Sequence, residues 1–285
     1  MTSQRAHQII EGQRQDWNRV AGAWEKWDRL FEEQIGYLNH RLVGDARIRS
    51  GYAVLDLGSG TGYPALLAAQ AVGSSGSVIG IDLAADMLAA AERKARRLGL
   101  TNIAFKVGDA SMLPFDAAAF DAVISRFCLM FLPDVPTAVA EIARVLKPGR
   151  WFAAAVWSSA ERNPAIGLSI AALKQVIDVP RPDPSAPGIF RLANAGELAG
   201  MMEEAGLENV SDHEFLAERT YESVEQYYTS LTEIAAPIQN LMAPLLDGQR
   251  QEVKRLILES ASRYRRANWI SFPIAVRVVV GRKPG

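Results

Sequence analysis

The sequence predicts an α/β protein built on a seven-stranded, mostly parallel sheet with helices on both faces. Three observations predict it. An apolar run breaks into a glycine-rich turn and then a helix over residues 54–71. Strand-like and helix-like segments then alternate from residue 53 to residue 157, the pattern of parallel strands joined by helical crossovers. Two further strand-like runs, near 209–216 and 272–280, follow toward the end of the chain. At 285 residues there is room for one large domain with insertions.

Taken in order, residues 14–31 carry Trp17, Val20, Trp24, Trp27 and Phe31 at spacings of three and four, which places them on one stripe of a helix. Such a stripe fits either packing on the core or a lid whose rings line a pocket. A short helix over 35–43 follows, so that 1–50 reads as a helical lid segment ahead of the sheet.

The first strand, 53–57, runs into Gly58-Ser59-Gly60-Thr61-Gly62 and a helix over 64–71. Glycines at alternate positions let the backbone turn sharply and approach a ligand with no Cβ in the way. The positive end of the next helix points at the same place and favours a carboxylate or phosphate. Nicotinamide, flavin and S-adenosylmethionine (SAM) proteins all use such a turn. The spacing here is G-x-G-x-G rather than the dinucleotide G-x-G-x-x-G, and an acid, Asp56, stands just before it.

The second strand, 77–81, ends in Asp82, where a carboxylate can hold ribose hydroxyls. A helix stopped by Gly99 and a third strand, 103–107, lead to Gly108-Asp109-Ala110. The fourth strand, 121–125, runs into Arg126 and the loop to Asp134; Asp134 caps a helix with Pro136 in its first turn, and a fifth strand covers 151–157. The core is thus expected over 51–157.

Alternation then stops. Residues 158–190 read as an insertion over the active face, with an apolar helix at 166–177 and the proline-rich run Pro180-Arg181-Pro182-Asp183-Pro184. The remainder, 191–285, completes the core. It opens with a helix over 194–205 headed by an Asn194/Glu197 capping pair, and it carries a helical insertion at 222–270.

Composition narrows the function. A formal net charge of −1 gives no electrostatic footprint for nucleic acid. The single cysteine, Cys128, excludes a disulfide framework and a thiolate metal cluster, and no metal site is expected. A polar start and the lack of any run of about 18 apolar residues give the expectation of a cytoplasmic protein, monomer or homodimer, with no membrane anchor.

Glycine turn, Asp82, Gly108-Asp109-Ala110 and the loop after strand four stand in order, all at strand C-terminal ends. With Asp56, this set resembles the class I SAM-dependent methyltransferases, and more narrowly the ubiquinone/menaquinone C-methyltransferase-like group. The resemblance implies a Rossmann-like methyltransferase sheet, SAM as methyl donor with S-adenosylhomocysteine as product, and methylation of a small, largely apolar or aromatic acceptor at carbon, oxygen or nitrogen. It implies Gly58 and Gly60 against the methionine part of SAM, with Asp56 near its ammonium. It places Asp82 on the ribose, Leu83 against the adenine, Asp109 and Ala110 at the adenine amino group, and Arg126 near the methionine end. Trp17, Trp24, Trp27, Tyr37, Phe131, Trp157, Phe190 and Trp269 are candidates for the pocket wall.

One departure stands out. Members of the ubiquinone type often carry histidines just before Leu-Pro-Asp, where this chain has Met130 and Phe131, so no general base is assigned and the catalytic residues stay unidentified. His7, His40 and His213 fall in a polar tail, a helix and a strand. An NAD(P)-dependent oxidoreductase and a SAM-binding protein without turnover are the alternatives the sequence leaves open.

Overall fold

A computed structural model describes residues 3–179 and 186–285; the proline-rich run at 180–184 lies outside the described residues. Three helices precede the sheet: α1 (Ser3–Lys26), α2 (Asp28–Ile35) and α3 (Tyr37–Asp45). The aromatic stripe is therefore shared between two helices, because the chain leaves helical geometry at Trp27, the N-cap of α2.

The alternating core follows as β1 (Ala53–Leu57), α4 (Ala65–Val72), β2 (Ser77–Asp82), α5 (Ala85–Arg97), β3 (Ile103–Val107), β4 (Phe120–Arg126), α6 (Val135–Val145) and β5 (Leu146–Trp157). Asp134 caps α6 by accepting the Thr137 amide at 3.1 Å. After α7 (Pro164–Val176) come α8 (Glu197–Glu204), β6 (Glu208–Tyr221), α9 (Val224–Ile234), α10 (Ala236–Met242), α11 (Asp247–Ser262) and β7 (Ile270–Arg282).

The sheet order is β3-β2-β1-β4-β5-β7-β6. The pairs from β3 to β5 are parallel, whereas β7 lies antiparallel to both β5 and β6. The central strands are buried on both faces, which is why β1 and β4 read as continuous apolar runs.

The expected capping pair at 194/197 does not form as a cap. Gly196 takes a left-handed conformation (φ 79°) and is the N-cap, so α8 begins at Glu197. Asn194 bonds the Glu197 carboxylate at 3.2 Å instead of a backbone amide.

Strands β6 and β7 pair from Glu208↔Arg282 to Tyr221↔Ile270, beyond the point where β5 ends against Val276. Their far ends carry a second apolar core in which Ala172 and Leu173 of α7 meet Tyr227 of α9 and Val253 and Ile257 of α11. Helices well separated in sequence thus share one core. It leaves the C-terminal edge of β1 to β4 free for α1 and α2 to cover.

Candidate active site

The site grows from the glycine turn. Gly58, Gly60 and Gly62 all have positive φ (72°, 52° and 115°), a conformation that L side chains rarely adopt. They differ in what surrounds them. A Cβ on Gly58 would lie 2.3 Å from the Cβ of Cys128, and one on Gly62 would lie 2.8 Å from Leu66; a Cβ on Gly60 would meet nothing within 4 Å. Gly58 and Gly62 therefore let chain segments approach each other, while Gly60 borders open space.

Asp82 binds the three loops together. Its Oδ2 accepts the Gly60 amide at 2.9 Å and its Oδ1 the Ala84 amide at 3.0 Å, while its backbone carbonyl accepts the Gly108 amide at 3.0 Å. Burial pushes its carboxyl above the usual range, and the amides of Ala84, Gly60 and Leu83 pull it back. Leu83 next to it is half-buried and Ala110 is buried. Asp109 Oδ1 accepts both the amide and the hydroxyl of Ser111 at 2.8 Å, which fixes the turn after β3.

Asp56 is fully buried. Its Oδ2 accepts the Ala65 amide at 3.2 Å, whereas its Oδ1 has no hydrogen-bond partner. Burial pushes this carboxyl up to about 7, opposed by the charge of Arg126. Among the described residues the one other buried side-chain atom without a partner is Nε1 of Trp24. A buried acceptor left open is costly and uncommon in a folded chain.

Arg126, the last residue of β4, reaches α2 and α3. One terminal nitrogen of its guanidinium donates to Asn39 Oδ1 at 2.9 Å and to Glu32 Oε1 at 3.2 Å, and Asn39 in turn donates to Glu32 Oε2 at 2.6 Å. One helical turn away on α2, Asp28 pairs with Lys94 of α5 and accepts the Thr61 hydroxyl of the glycine loop at 3.4 Å. Burial lowers the Lys94 ammonium, which lies 4.8 Å from the centre of the Tyr63 ring. Asp28, Glu32, Asn39, Lys94 and Tyr63 were not among the expected site residues. The four-residue spacing of Asp28 and Glu32 was the available signal.

The expected aromatic wall divides. Trp17 packs edge-on against Phe131 at 5.4 Å and lies 6.4 Å from Trp24, and Gln13 donates to the Phe131 carbonyl at 2.7 Å, so α1 covers the loop after β4. Trp157 stacks on Phe127 at 4.3 Å. Phe190 is half-buried against the main core, close in sequence to Gly188, whose amide bonds the Met130 carbonyl at 3.0 Å. The structure does not gather the others. Trp27 donates to Glu233 Oε2 at 2.6 Å, Tyr37 is partly exposed at the start of α3, and Trp269 lies on the exposed turn into β7. His7, His40 and His213 are all exposed.

Around this edge stand five carboxylates, Asp28, Glu32, Asp56, Asp82 and Asp109, against two cations, Lys94 and Arg126. Asp28 and Glu32 are paired with those two cations, and burial raises Asp56 and Asp82 toward their neutral forms.

Comparison with known proteins gives three kinds of likeness. A family model described as "Methyltransferase domain" matches residues 54–149. Demethylmenaquinone methyltransferase of Bacillus subtilis (strain 168) is 31% identical over 220 residues, covering 69% of this chain and 92% of that protein. Aklanonic acid methyltransferase DauC of Streptomyces sp. (strain C5) is 40% identical over 123 residues, covering 43% of this chain and 56% of that protein. In fold, the crystal structure of the YcgJ protein from Bacillus subtilis is alike at a TM-score of 0.59 and 22% identity, covering 88% of this chain and 99% of that one.

Proposed function

From the premise that this chain belongs to the class I SAM-dependent methyltransferases, in their quinone C-methyltransferase-like group, we propose that it methylates a small, largely apolar or aromatic acceptor at the C-terminal edge of β1 to β4. The observation that carries the site assignment is the unpartnered, buried Oδ1 of Asp56, two residues before Gly58 in the chain that runs into the turn where Gly60 borders open space. The ammonium of a methionine moiety supplies the missing donor there.

The other groups fit the rest of the same molecule. Asp82, held by Gly60 and Ala84, keeps lone pairs for a ribose diol, and Leu83 offers apolar surface to the adenine. Asp109 and the Ala110 amide face the adenine edge in this assignment. The nicotinamide reading lacks support, since the matching family model and the relatives are methyltransferases.

Bound SAM supplies a methyl group already activated on a sulfonium. The chain's own residues then have to align acceptor and methyl and keep water out. Alignment contributes about 7–11 kcal/mol when the geometry is near attack. Trp17, Trp24 and Phe131, held over the loop after β4, supply an apolar cover, and electron-rich rings near a sulfonium add attraction. Arg126 acts in this reading as a strut between β4 and the lid, through Glu32 and Asn39. The relatives' names, demethylmenaquinone and aklanonic acid methyltransferase, support testing cyclic, oxygen-bearing acceptors first.

The test is incubation with methyl-labelled SAM and a panel of quinols, phenols, indoles and amines. Label transferred to a panel member supports the reading. Tight SAM binding with transfer to none of them favours a SAM-binding protein without turnover.

A further inference from the structure

At the other end of β1, on the sheet rim opposite the glycine turn, a cleft of about 150 Å³ is lined by Arg47, Arg49, Tyr52, Asp121, Arg150 and Trp151. Its charge is unbalanced. Asp121 is the one carboxylate on its wall and is already engaged, by Lys147 at 2.8 Å, by Arg150 at 3.3 Å and by the Ala53 amide at 3.1 Å. Among the described residues neither Arg47 nor Arg49 forms an ion pair. A second cleft adjoins it and shares Arg47 and Trp151; the carboxylate there, Asp45, is paired with Arg41.

The arginines are also held in place. The Arg47 guanidinium lies 4.0 Å from the centre of the Trp151 ring, and that of Arg150 lies 4.6 Å from the centre of the Tyr52 ring. Stacking of this kind fixes the plane of a guanidinium while leaving N–H groups at its edge to donate. Arg47 has a left-handed backbone (φ 51°) just past the Ala46 C-cap of α3, where glycine is the residue that fits with least strain. The chain accepts that strain at a residue that forms no ion pair among the described residues, the kind of outlier that points to a function.

We propose that this cleft is a phosphate subsite, in which Arg47, Arg49 and Arg150 donate to the oxygens of one phosphate group. Arginine forks match phosphate geometry, and the cation excess of the cleft offsets its charge. The group belongs either to a small soluble phosphate compound or to a lipid headgroup. The subsite shares no residue with the methyl-transfer site and does not depend on that assignment.

The test uses the full chain at constant ionic strength set by chloride, titrated calorimetrically with inorganic pyrophosphate and, separately, sedimented with phosphatidylglycerol vesicles. Saturable one-site heat is expected, about tenfold weaker in Arg49→Ala, the loss of one charged hydrogen bond. Arg47→Gly is expected to weaken pyrophosphate binding similarly without lowering the Tm of the ligand-free protein, because glycine adopts the φ of residue 47 freely. Arginine-dependent vesicle binding that pyrophosphate displaces assigns the lipid source; pyrophosphate heat with no vesicle binding assigns the soluble one. Neither signal, or affinities unchanged in both variants, overturns the proposal.

Discussion

Gly60 and Asp82 are joined across the sheet edge, the amide of one donating to the carboxylate of the other at 2.9 Å. The turn after β1 and the acid that ends β2 are therefore tied directly to each other. Asp82→Ala is expected to weaken SAM binding about tenfold or more, the scale of lost hydrogen bonds to a charged group. The fold should survive, because the Gly108 amide bonds the Asp82 backbone carbonyl and not its side chain. Titration calorimetry of the variant, with circular dichroism as the folding control, checks both halves.

The glycines of the turn should separate by mechanism. Gly58→Ala brings a Cβ to 2.3 Å from Cys128 at a positive φ, and a loss of about 3 kcal/mol or more in stability is expected. Gly60→Ala meets no atom within 4 Å, so about 1–2 kcal/mol of backbone strain is all the fold should lose, while the new methyl obstructs the ligand. Denaturant unfolding together with SAM titration distinguishes the two.

Asp56 gives a pH signature. Its carboxyl is raised from 3.8 to about 7, so between those values the folded chain holds a proton that the unfolded chain has released. For this group, stability falls as pH rises from about 4 and levels off above about 7. An ammonium beside Asp56 favours the carboxylate, so SAM binding near pH 6 should release a proton and tighten as pH rises toward neutrality. Calorimetry in buffers of different ionisation enthalpy measures the release, which should vanish in Asp56→Asn.

Arg126 and Glu32 call for a double-mutant cycle. Breaking a mostly buried pair from one side leaves an uncompensated charge, so Arg126→Met is expected to lose about 3 kcal/mol. Removing both charges in Arg126→Met/Glu32→Gln should recover part of that loss. Equal losses in the single and double variants would show that Arg126 acts without Glu32.

These cases show what the sequence makes legible. The succession of strands and helices around the glycine turn follows from local periodicity, and the acids at strand ends follow from where each strand stops. The Arg126–Glu32 contact joins residues 94 apart, and no local pattern encodes it. The break at Trp27 was hidden because the apolar stripe continues from α1 into α2 across it. The start of α8 was misread because Gly196, not Asn194, makes the turn. Strand β6 is longer than expected, 14 residues, because its outer half pairs with β7 beyond the parallel sheet and carries a core supplied by α7, α9 and α11.

The most direct test of the account is calorimetric titration of the purified chain with S-adenosylhomocysteine. One saturable site per chain is expected, weakened in Asp82→Ala and in Gly60→Ala. No heat of binding with either S-adenosylhomocysteine or SAM would contradict it.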